Sequence, residues 1–322
     1  MGEFELLARV RERLSPAGPR VRLGSGDDAA VTVPGGATAT SVDAVVDGVH
    51  FLRGRASLRQ IGHKALATAL SDLAAMGAEA GEAYVTLGVP PDLDEDGCME
   101  LLDGMAALAE ATGTCLAGGD VTRAGELFLA MTVVGHGADA DAFVSRAGAK
   151  PGDALVLTGE VGGARAGHAL LESADSAGGE ALRERQLEPR PRLAAGRALA
   201  AAGATAMIDL SDGLTGDALH IAERSGVGLR IDAARVPIAP GAVEALAADG
   251  DGLLLALEGG EDYELLAALP PGRVPHAQEL VHAAEEGQEL TAIGEVVEGA
   301  GVELRLPGGR LVRPGRGFDQ LA

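Results

Sequence analysis

Aspartate stands beside glycine or another small residue in six short segments that are spread along the whole sequence. Most of these segments lie where a strand-like stretch meets a turn. Carboxylate oxygens are the hard ligands that Mg²⁺ prefers, and a neighbouring glycine lets a phosphate group come close. The pattern therefore favours metal-assisted binding of phosphates. The segments are Gly26-Asp27-Asp28, Ser41-Val42-Asp43, Ser71-Asp72-Leu73, Gly118-Gly119-Asp120, Asp209-Leu210-Ser211-Asp212-Gly213 and Gly259-Gly260-Glu261-Asp262.

Each segment taken alone also has a purely structural explanation. Asp-Gly and Gly-Asp pairs favour turns, and Ser211 fits the N-cap of the helix predicted to follow it. Asp72 differs, because it lies within an apolar helical stretch where an unpaired carboxylate is costly. We expect its carboxylate either to face solvent or to meet a cation.

Two other motifs resemble ligand sites but fail on their context. The segment from Gly24 to Ala29 fits a dinucleotide-binding fingerprint, yet two aspartates occupy its turn and a strand-like stretch follows instead of a helix. The segment from Asp92 to Asp103 resembles an EF-hand loop, but a strand ending in two prolines precedes it and its last position is not glutamate. A helix with an acidic first turn explains that segment better. Walker A, protein-kinase and HExxH motifs do not occur in the sequence.

The charge composition indicates which classes of molecule this protein can bind. The 322 residues carry 48 acidic and 26 basic side chains, a formal net charge of −22, which disfavours binding to nucleic acid and to anionic membranes. ATP is repelled as well, unless cations intervene. No apolar run is long enough to span a bilayer, and the acidic start is unlike a signal peptide. We expect a cytoplasmic protein that binds neither nucleic acid nor membrane.

Helix-like and strand-like stretches alternate along the chain, which predicts an α/β or α+β fold. One helix is predicted from Leu58 to Met76, with Ser57 as its N-cap. A strand over residues 204–210 and a helix over residues 214–225 are predicted around the fifth aspartate segment. A turn-rich stretch over residues 146–153 divides the chain into domains 1–145 and 146–322.

In this order the segments resemble the thiamine-monophosphate kinase family, part of the superfamily that includes aminoimidazole ribonucleotide synthetase. The resemblance runs from about residue 2 to residue 321. It implies a two-domain fold of mixed sheets flanked by helices. The N-terminal domain would bind ATP and magnesium and form a homodimer, and the C-terminal domain would complete the nucleotide and substrate cleft. The matching stretches are GEFELLAR, GSGDDAAV, DGVHF, KALATALSDLAAMGA, GGDVTR, SRAGAKPGD, RPRL, IDLSDGL, GGEDYEL and GFD.

The family transfers the γ-phosphate of ATP to thiamine monophosphate, giving thiamine diphosphate and ADP. The resemblance therefore implies an ATP-dependent phosphotransferase that acts by direct in-line transfer between phosphates bridged by several Mg²⁺ ions. The implied metal contacts are Asp28, Ser41, Val42, Asp43, Asp72, Asp120, Asp209 and Asp212. The implied ATP contacts are Gly119, Asp120, Arg146 and Ser211, and the implied thiamine-substrate contacts are His50, Glu261 and Phe318. The implied catalytic residues are Asp120, Arg146 and Asp212.

Val42 departs from the family pattern. The family commonly has threonine immediately before the aspartate at position 43, where it contributes to a metal site. Val42 offers only its backbone carbonyl, so that carbonyl or the hydroxyl of Ser41 would have to replace the missing side chain.

The chemistry is consistent with these residue types. A phosphate monoester with a second pKa near 6 is already mostly anionic at neutral pH, so transfer needs no general base. The barrier is chiefly repulsion between two polyanions, which magnesium ions and a fixed arginine charge reduce. Structural explanations remain for three contacts: His50 as a packed histidine, Arg146 bonded to nearby carbonyls, and Phe318 as an apolar plug.

Two alternative functions remain open from the sequence. One is an ATP-dependent synthetase or kinase reaction of another superfamily member, and the other is a non-catalytic magnesium–nucleotide binding protein. A further structural possibility is that the acidic surplus reflects salt or solubility adaptation.

Overall fold

A computed structural model describes residues 3–14, 18–24, 29–173 and 178–313. Asp28 and Phe318, two of the predicted site residues, lie outside the described residues. The chain divides into two compact units. Unit 1 comprises Met1–Leu73 and Ala78–Ala140, and unit 2 comprises Ala74–Gly77 and Asp141–Ala322. Both units combine β-sheet with flanking helices, so the predicted mixed α/β class is confirmed.

Unit 1 is built around a four-stranded sheet in the order β3-β6-β4-β5, in which β4 and β5 are parallel and the other pairs are antiparallel. Strands β1 and β2 form a separate antiparallel pair. The last residues of α2 are grouped with unit 2. The elements are α1 (Glu3–Arg13), β1 (Val21–Leu23), β2 (Val31–Thr32), β3 (Ala37–Val46), α2 (Leu58–Ala75), β4 (Glu79–Val89), α3 (Glu95–Thr112), β5 (Cys115–Arg123) and β6 (Phe128–Gly137).

Helix α2 starts at the residue that the sequence predicts. The Ser57 hydroxyl accepts a hydrogen bond from Gln60 N at 3.2 Å, and the Gln60 side chain accepts one from Ser57 N at 3.1 Å. This reciprocal pair is a capping box. Glycines let α2 approach α3 closely, because a Cβ at Gly62 would lie 1.9 Å from Leu101 O.

The acidic segment before α3 is a helix start and not an EF-hand. Asp94 is the N-cap residue, and its carboxylate accepts a hydrogen bond from Gly97 N at 2.9 Å. Glu95 and Asp96 occupy the first turn, where negative charge complements the helix dipole. The segment that leads into the loop is strand β4, as the sequence predicts.

Unit 2 is built around a seven-stranded sheet in the order β13-β12-β9-β11-β7-β10-β8. Only β12 and β9 form a parallel pair in this sheet, among the residues that the structure describes. Aliphatic side chains fill its core, with Leu155, Leu157 and Ile208 at or below 1% exposure. The strands are β7 (Ala154–Thr158), β8 (Ala206–Asp209), β9 (Gly228–Asp232), β10 (Leu265–Leu269), β11 (Leu290–Val297), β12 (Gly301–Arg305) and β13 (Leu311–Val312).

Helices cover the sheet of unit 2. Three short 3-10 turns complete the described elements, at Ala140–Ala142, Ala233–Arg235 and Pro271–Arg273. No helix in the described ranges is both long enough and apolar enough to cross a bilayer. The helices are α4 (Gly163–Glu172), α5 (Glu180–Leu187), α6 (Leu193–Ala202), α7 (Leu214–Ser225), α8 (Ala242–Leu246), α9 (Gly252–Glu258) and α10 (Val274–Ala284).

Candidate functional site

Strand β3 and helix α2 bring two predicted metal residues of unit 1 together. Ser41 Oγ donates a hydrogen bond to Asp72 Oδ2 at 2.5 Å. Asp72 is half-buried, and its carboxylate is hydrogen-bonded to β3. The expectation that this carboxylate faces solvent or meets a cation did not consider the hydroxyl of Ser41 as a partner. Burial alternates along β3, so Asp43 shares the face of Ser41 whereas Val42 lies on the opposite face and is 68% exposed.

Asp120 and Gly119 lie on β5, at the other edge of the same sheet. Asp43 pairs with Met131, Met131 with Val85, and Val85 with Gly119. At about 4.8 Å per strand, three strand spacings separate the two edges by about 14 Å along the sheet. The sheet of one chain therefore does not bring Asp43 and Asp120 together.

Gly119 is required by close packing of the backbone. A Cβ at this position would lie 2.0 Å from Val85 O on the neighbouring strand. Any other residue would push β5 away from β4. Asp120, immediately after it, is exposed.

His50 lies in the turn after β3, where hydrogen bonds fix both its ring and its backbone. Its Nδ1 accepts from Val46 N at 3.2 Å, which leaves the proton of the neutral ring on Nε2. Its carbonyl accepts from Nζ of the buried Lys64 at 2.9 Å. These bonds agree with the packed-histidine explanation, and they also hold the ring of this half-buried residue in one orientation.

In unit 2, strand β8 ends at Asp209, which is 3% exposed, and a tight loop leads into α7. Asp212 N donates to Asp217 Oδ2 at 3.0 Å. The N-cap residue of α7 is Gly213, which has no side chain, so the prediction that Ser211 caps this helix is wrong. Ser211 is exposed within the loop instead.

Three side chains at the start of α7 could bind one cation. Ligand atoms of Asp212, Asp217 and His220 all lie within 4.8 Å of one another. The sequence predicted only Asp212 of the three. The i, i+3 spacing of Asp217 and His220 on one helix face is the signal that could have identified the other two.

Electrostatics in this cluster oppose full ionisation. Burial raises the pKa of Asp217 to about 8, and the charge of Asp209 adds to the rise. Burial also raises the pKa of Asp212, whereas the charges of His220 and Arg146 lower it. Positive charge therefore compensates the carboxylates here, and the exposed Arg146 supplies part of it.

A second loop, residues 259–264, is hydrogen-bonded to the first. Glu261 N donates to Ser211 O and Tyr263 N donates to Leu210 O, both at 2.9 Å. A Cβ at Gly260 would lie 2.2 Å from Ser211 O, so glycine is needed for this contact. The structure thus brings Glu261, a predicted substrate contact, beside Ser211, a predicted ATP contact.

Two acidic side chains anchor the 259–264 loop to the rest of unit 2. Asp262 accepts from Gly162 N at 2.6 Å and from Ala164 N at 3.0 Å, and burial raises its pKa to about 7 despite these bonds. Glu264 accepts two hydrogen bonds from Arg192, at 2.6 and 2.9 Å. Neither anchor was predicted from the sequence.

Family models cover most of the chain. The N-terminal domain model of AIR synthase related proteins matches residues 26–136, and the C-terminal domain model matches residues 150–307.

Individual relatives point to one family within the AIR synthase related proteins. A thiamine-monophosphate kinase of Mycobacterium tuberculosis is 39% identical over 85% of this chain and 82% of its own length. The crystal structure of thiamine-monophosphate kinase from Stenotrophomonas maltophilia K279a has 35% identity and a TM-score of 0.83, covering 94% of this chain and 96% of that chain. A structure described as AaThiL complexed with AMPPCP and TMP has 29% identity and a TM-score of 0.75, covering 97% and 95%.

Proposed function

This chain belongs to the thiamine-monophosphate kinase family, and we propose that it transfers the γ-phosphate of ATP to thiamine monophosphate, giving thiamine diphosphate and ADP. The observation that carries this proposal is the similarity to thiamine-monophosphate kinases over most of both chains. A relative that holds AMPPCP and TMP supports the same pair of substrates.

Magnesium is the metal that fits the donor groups. The predicted ligands supply carboxylate and hydroxyl oxygens, which are hard donors. Bound Mg²⁺ would neutralise the negative charge that otherwise keeps the two sets of phosphates apart. In unit 1 the ions would be held by Ser41, Asp43, Asp72, Asp120 and the Val42 carbonyl. In unit 2 the proposed ligands are Asp209 and Asp212, with Asp217 and His220 beside Asp212; Asp28 completes the proposed set from outside the described residues.

The role of the protein in this reaction is to position groups and to balance charge. The acceptor phosphate is already anionic at neutral pH, so no side chain has to remove a proton from it. Arg146 supplies a fixed positive charge close enough to lower the pKa of Asp212. The rigid loop around Ser211, tied to residues 259–264 by backbone hydrogen bonds, would bind nucleotide without a large loss of entropy.

The thiamine portion of the substrate is proposed to contact His50, Glu261 and Phe318. Support for His50 is its ring, which the hydrogen bond from Val46 N holds in one orientation. Support for Glu261 is its place beside Ser211. Phe318 enters the proposal through the family resemblance alone, with an aromatic face suited to a cationic thiazolium ring.

We also propose that the enzyme is a homodimer formed through its N-terminal domain. Strands β3 and β5 are the edges of the four-stranded sheet, and Val42 is an exposed apolar residue on β3. Pairing of these edges in a second copy would place the carboxylates of the two edges side by side. Light scattering after size-exclusion chromatography should then give twice the mass of one chain, and the mass of a single chain would contradict the proposal.

We also propose that residues 1–145 form the domain that binds ATP and magnesium, and that residues 146–322 form the domain that completes the nucleotide and substrate cleft. A cytoplasmic location is proposed because the reaction consumes ATP, and neither nucleic acid nor membrane is needed as a partner.

The test of function is product formation. Purified protein with Mg²⁺, ATP and thiamine monophosphate should release ADP and thiamine diphosphate in equal amounts, measured by chromatography. The substrates of related synthetases should give no ADP under the same conditions. Turnover only with those substrates would favour another superfamily reaction, and tight Mg²⁺–ATP binding without turnover would favour a non-catalytic protein.

A further inference from the structure

The 259–264 loop adopts a backbone that costs free energy. Glu261 and Tyr263 have φ values of 70° and 52°, in the left-handed region that side chains other than glycine rarely adopt. Each such residue is strained and persists only where surrounding contacts enforce its conformation. Two strained residues within three positions indicate that surrounding contacts select this backbone conformation of the loop.

The contacts that enforce this shape act on the loop backbone and on its buried anchors. Backbone hydrogen bonds fix Glu261 and Tyr263 to residues 210 and 211. Asp262 and Glu264 bind neighbouring elements through their carboxylates. These backbone bonds and buried anchors do not act on the Glu261 carboxylate itself.

Gln186, near the end of α5, contacts the Glu261 carboxylate directly. Its Nε2 donates to Glu261 Oε2 at 2.7 Å, and Gln186 is 3% exposed. A short hydrogen bond from a buried amide to a carboxylate restricts the rotamers of both side chains. It is therefore suited to orient Glu261.

The same glutamine is poorly suited to a role in stability alone. Its Oε1 is buried and has no hydrogen-bond partner among the described residues. A buried carbonyl oxygen without a partner lowers the stability of the folded state. An apolar residue of equal size would avoid that cost, so the value of Gln186 lies in what its Nε2 does.

We propose that Gln186 is a positioning residue that holds the Glu261 carboxylate in the orientation that contacts thiamine monophosphate. This inference rests on the proposed function and on the proposed role of Glu261. Gln186 itself touches no substrate. It sets the affinity for the thiamine substrate and leaves ATP binding and the transfer step unchanged.

The matched test replaces two buried glutamines by methionine, which has nearly the same shape. Gln186→Met removes the donor to Glu261, and Gln288→Met removes a buried donor at 3.3 Å to Glu264, an anchor of the same loop that is not a proposed substrate contact. We expect Gln186→Met to raise the KM for thiamine monophosphate about tenfold, with kcat and the KM for ATP unchanged. Gln288→Met should leave all three within about twofold.

A double-mutant cycle with Glu261→Ala distinguishes positioning from a general packing effect. If Gln186 acts through Glu261, adding Gln186→Met to Glu261→Ala should not raise the KM for thiamine monophosphate further. Equal increases in both backgrounds would overturn the inference, as would an unchanged KM in Gln186→Met alone. Should that variant fail to fold, Gln186→Asn retains the amide but is too short to reach Glu261, and it should show the same increase.

The outcome also separates this inference from the proposed function. Wild-type protein that makes no thiamine diphosphate would remove the premise and the inference together. Wild-type protein that is active, with a Gln186→Met variant of unchanged KM, would overturn only the role of Gln186.

Discussion

The two units present their acidic residues in opposite ways. In unit 1, Asp120 is exposed on an edge strand and Asp43 lies on the opposite edge of the same sheet. In unit 2, Asp209 and Asp217 are 3% and 2% exposed, and two loops are hydrogen-bonded around them. Asp120 is exposed to water, and the half-buried Asp43 accepts one hydrogen bond from Ala44 N at 2.7 Å. The unit 2 carboxylates are buried, and burial raises the pKa of Asp217 to about 8.

This difference predicts that activity and stability depend on different charged residues. Removing a carboxylate from the sheet edges of unit 1 should affect metal binding and leave folding unchanged. Removing a hydrogen-bond partner of a buried carboxylate in unit 2 should mainly lower the free energy of unfolding.

Asp120→Asn should have the largest effect on activity. It replaces a proposed metal ligand by a neutral amide, and we expect phosphoryl transfer to fall about 100-fold or more. The melting temperature should not change, because the side chain is exposed. Asp96→Asn, exposed on α3, is the matched control and should keep full activity. Near wild-type transfer in Asp120→Asn would show that this carboxylate binds no essential metal.

Arg192→Met should have the largest effect on stability. It leaves the buried Glu264 carboxylate without its two charged hydrogen bonds, which should lower the free energy of unfolding by about 3–5 kcal/mol. Denaturant titration would measure the loss. Arg230→Met breaks two exposed ion pairs, with Glu295 and Glu303, and should leave the unfolding midpoint unchanged. Equal effects of the two variants would contradict the contrast between buried and exposed charge.

Asp262→Asn should change how stability depends on pH. Burial places the pKa of Asp262 at about 7 in the folded protein, above the value of about 3.9 expected when unfolded. The folded state therefore binds this proton more tightly, and its contribution is full below about pH 4 and is lost as pH rises through 7. Asparagine has no such proton, so the variant should lose less stability than wild type between pH 4 and 7. Parallel curves of denaturation midpoint against pH would contradict the raised pKa.

Val42→Thr should have the smallest effect. The side chain at this position is exposed on β3, so the fold should tolerate the added hydroxyl. If the hydroxyl reaches a metal site, the Mg²⁺ concentration for half-maximal activity should fall by about threefold or less, in keeping with one added weak contact. A large loss of activity would show that the exposed face of β3 has another role.

The sequence predicted helices well where interactions between residues close in sequence determine them. The helix over residues 214–225 matches α7, and the Ser57 cap fixes the start of α2. The strand predicted over residues 204–210 is shorter, Ala206–Asp209, because Ala204 N still bonds to Leu199 O at the end of α6. The residue types of a strand-like stretch do not reveal such a hydrogen bond to the preceding helix.

The candidate site was harder to predict where partners are distant along the chain. The aspartates beside glycine were visible as a pattern. Asp217 was missed although it lies only five positions from Asp212, because its burial and its bond to Asp212 N appear only in the folded loop. Gln186 and Glu261 are 75 positions apart, and Arg192 and Glu264 are 72 apart, so only the folded chain brings them together.

Single-turnover transfer from γ-labelled ATP is the decisive measurement of kinase activity in this protein. Wild-type protein in excess over labelled ATP, with saturating thiamine monophosphate and Mg²⁺, should move the label into thiamine diphosphate. Chelation of Mg²⁺ should stop the transfer, and its return should restore it. Label that stays in ATP, or that appears only as free phosphate, would contradict the assignment of this chain as a thiamine-monophosphate kinase.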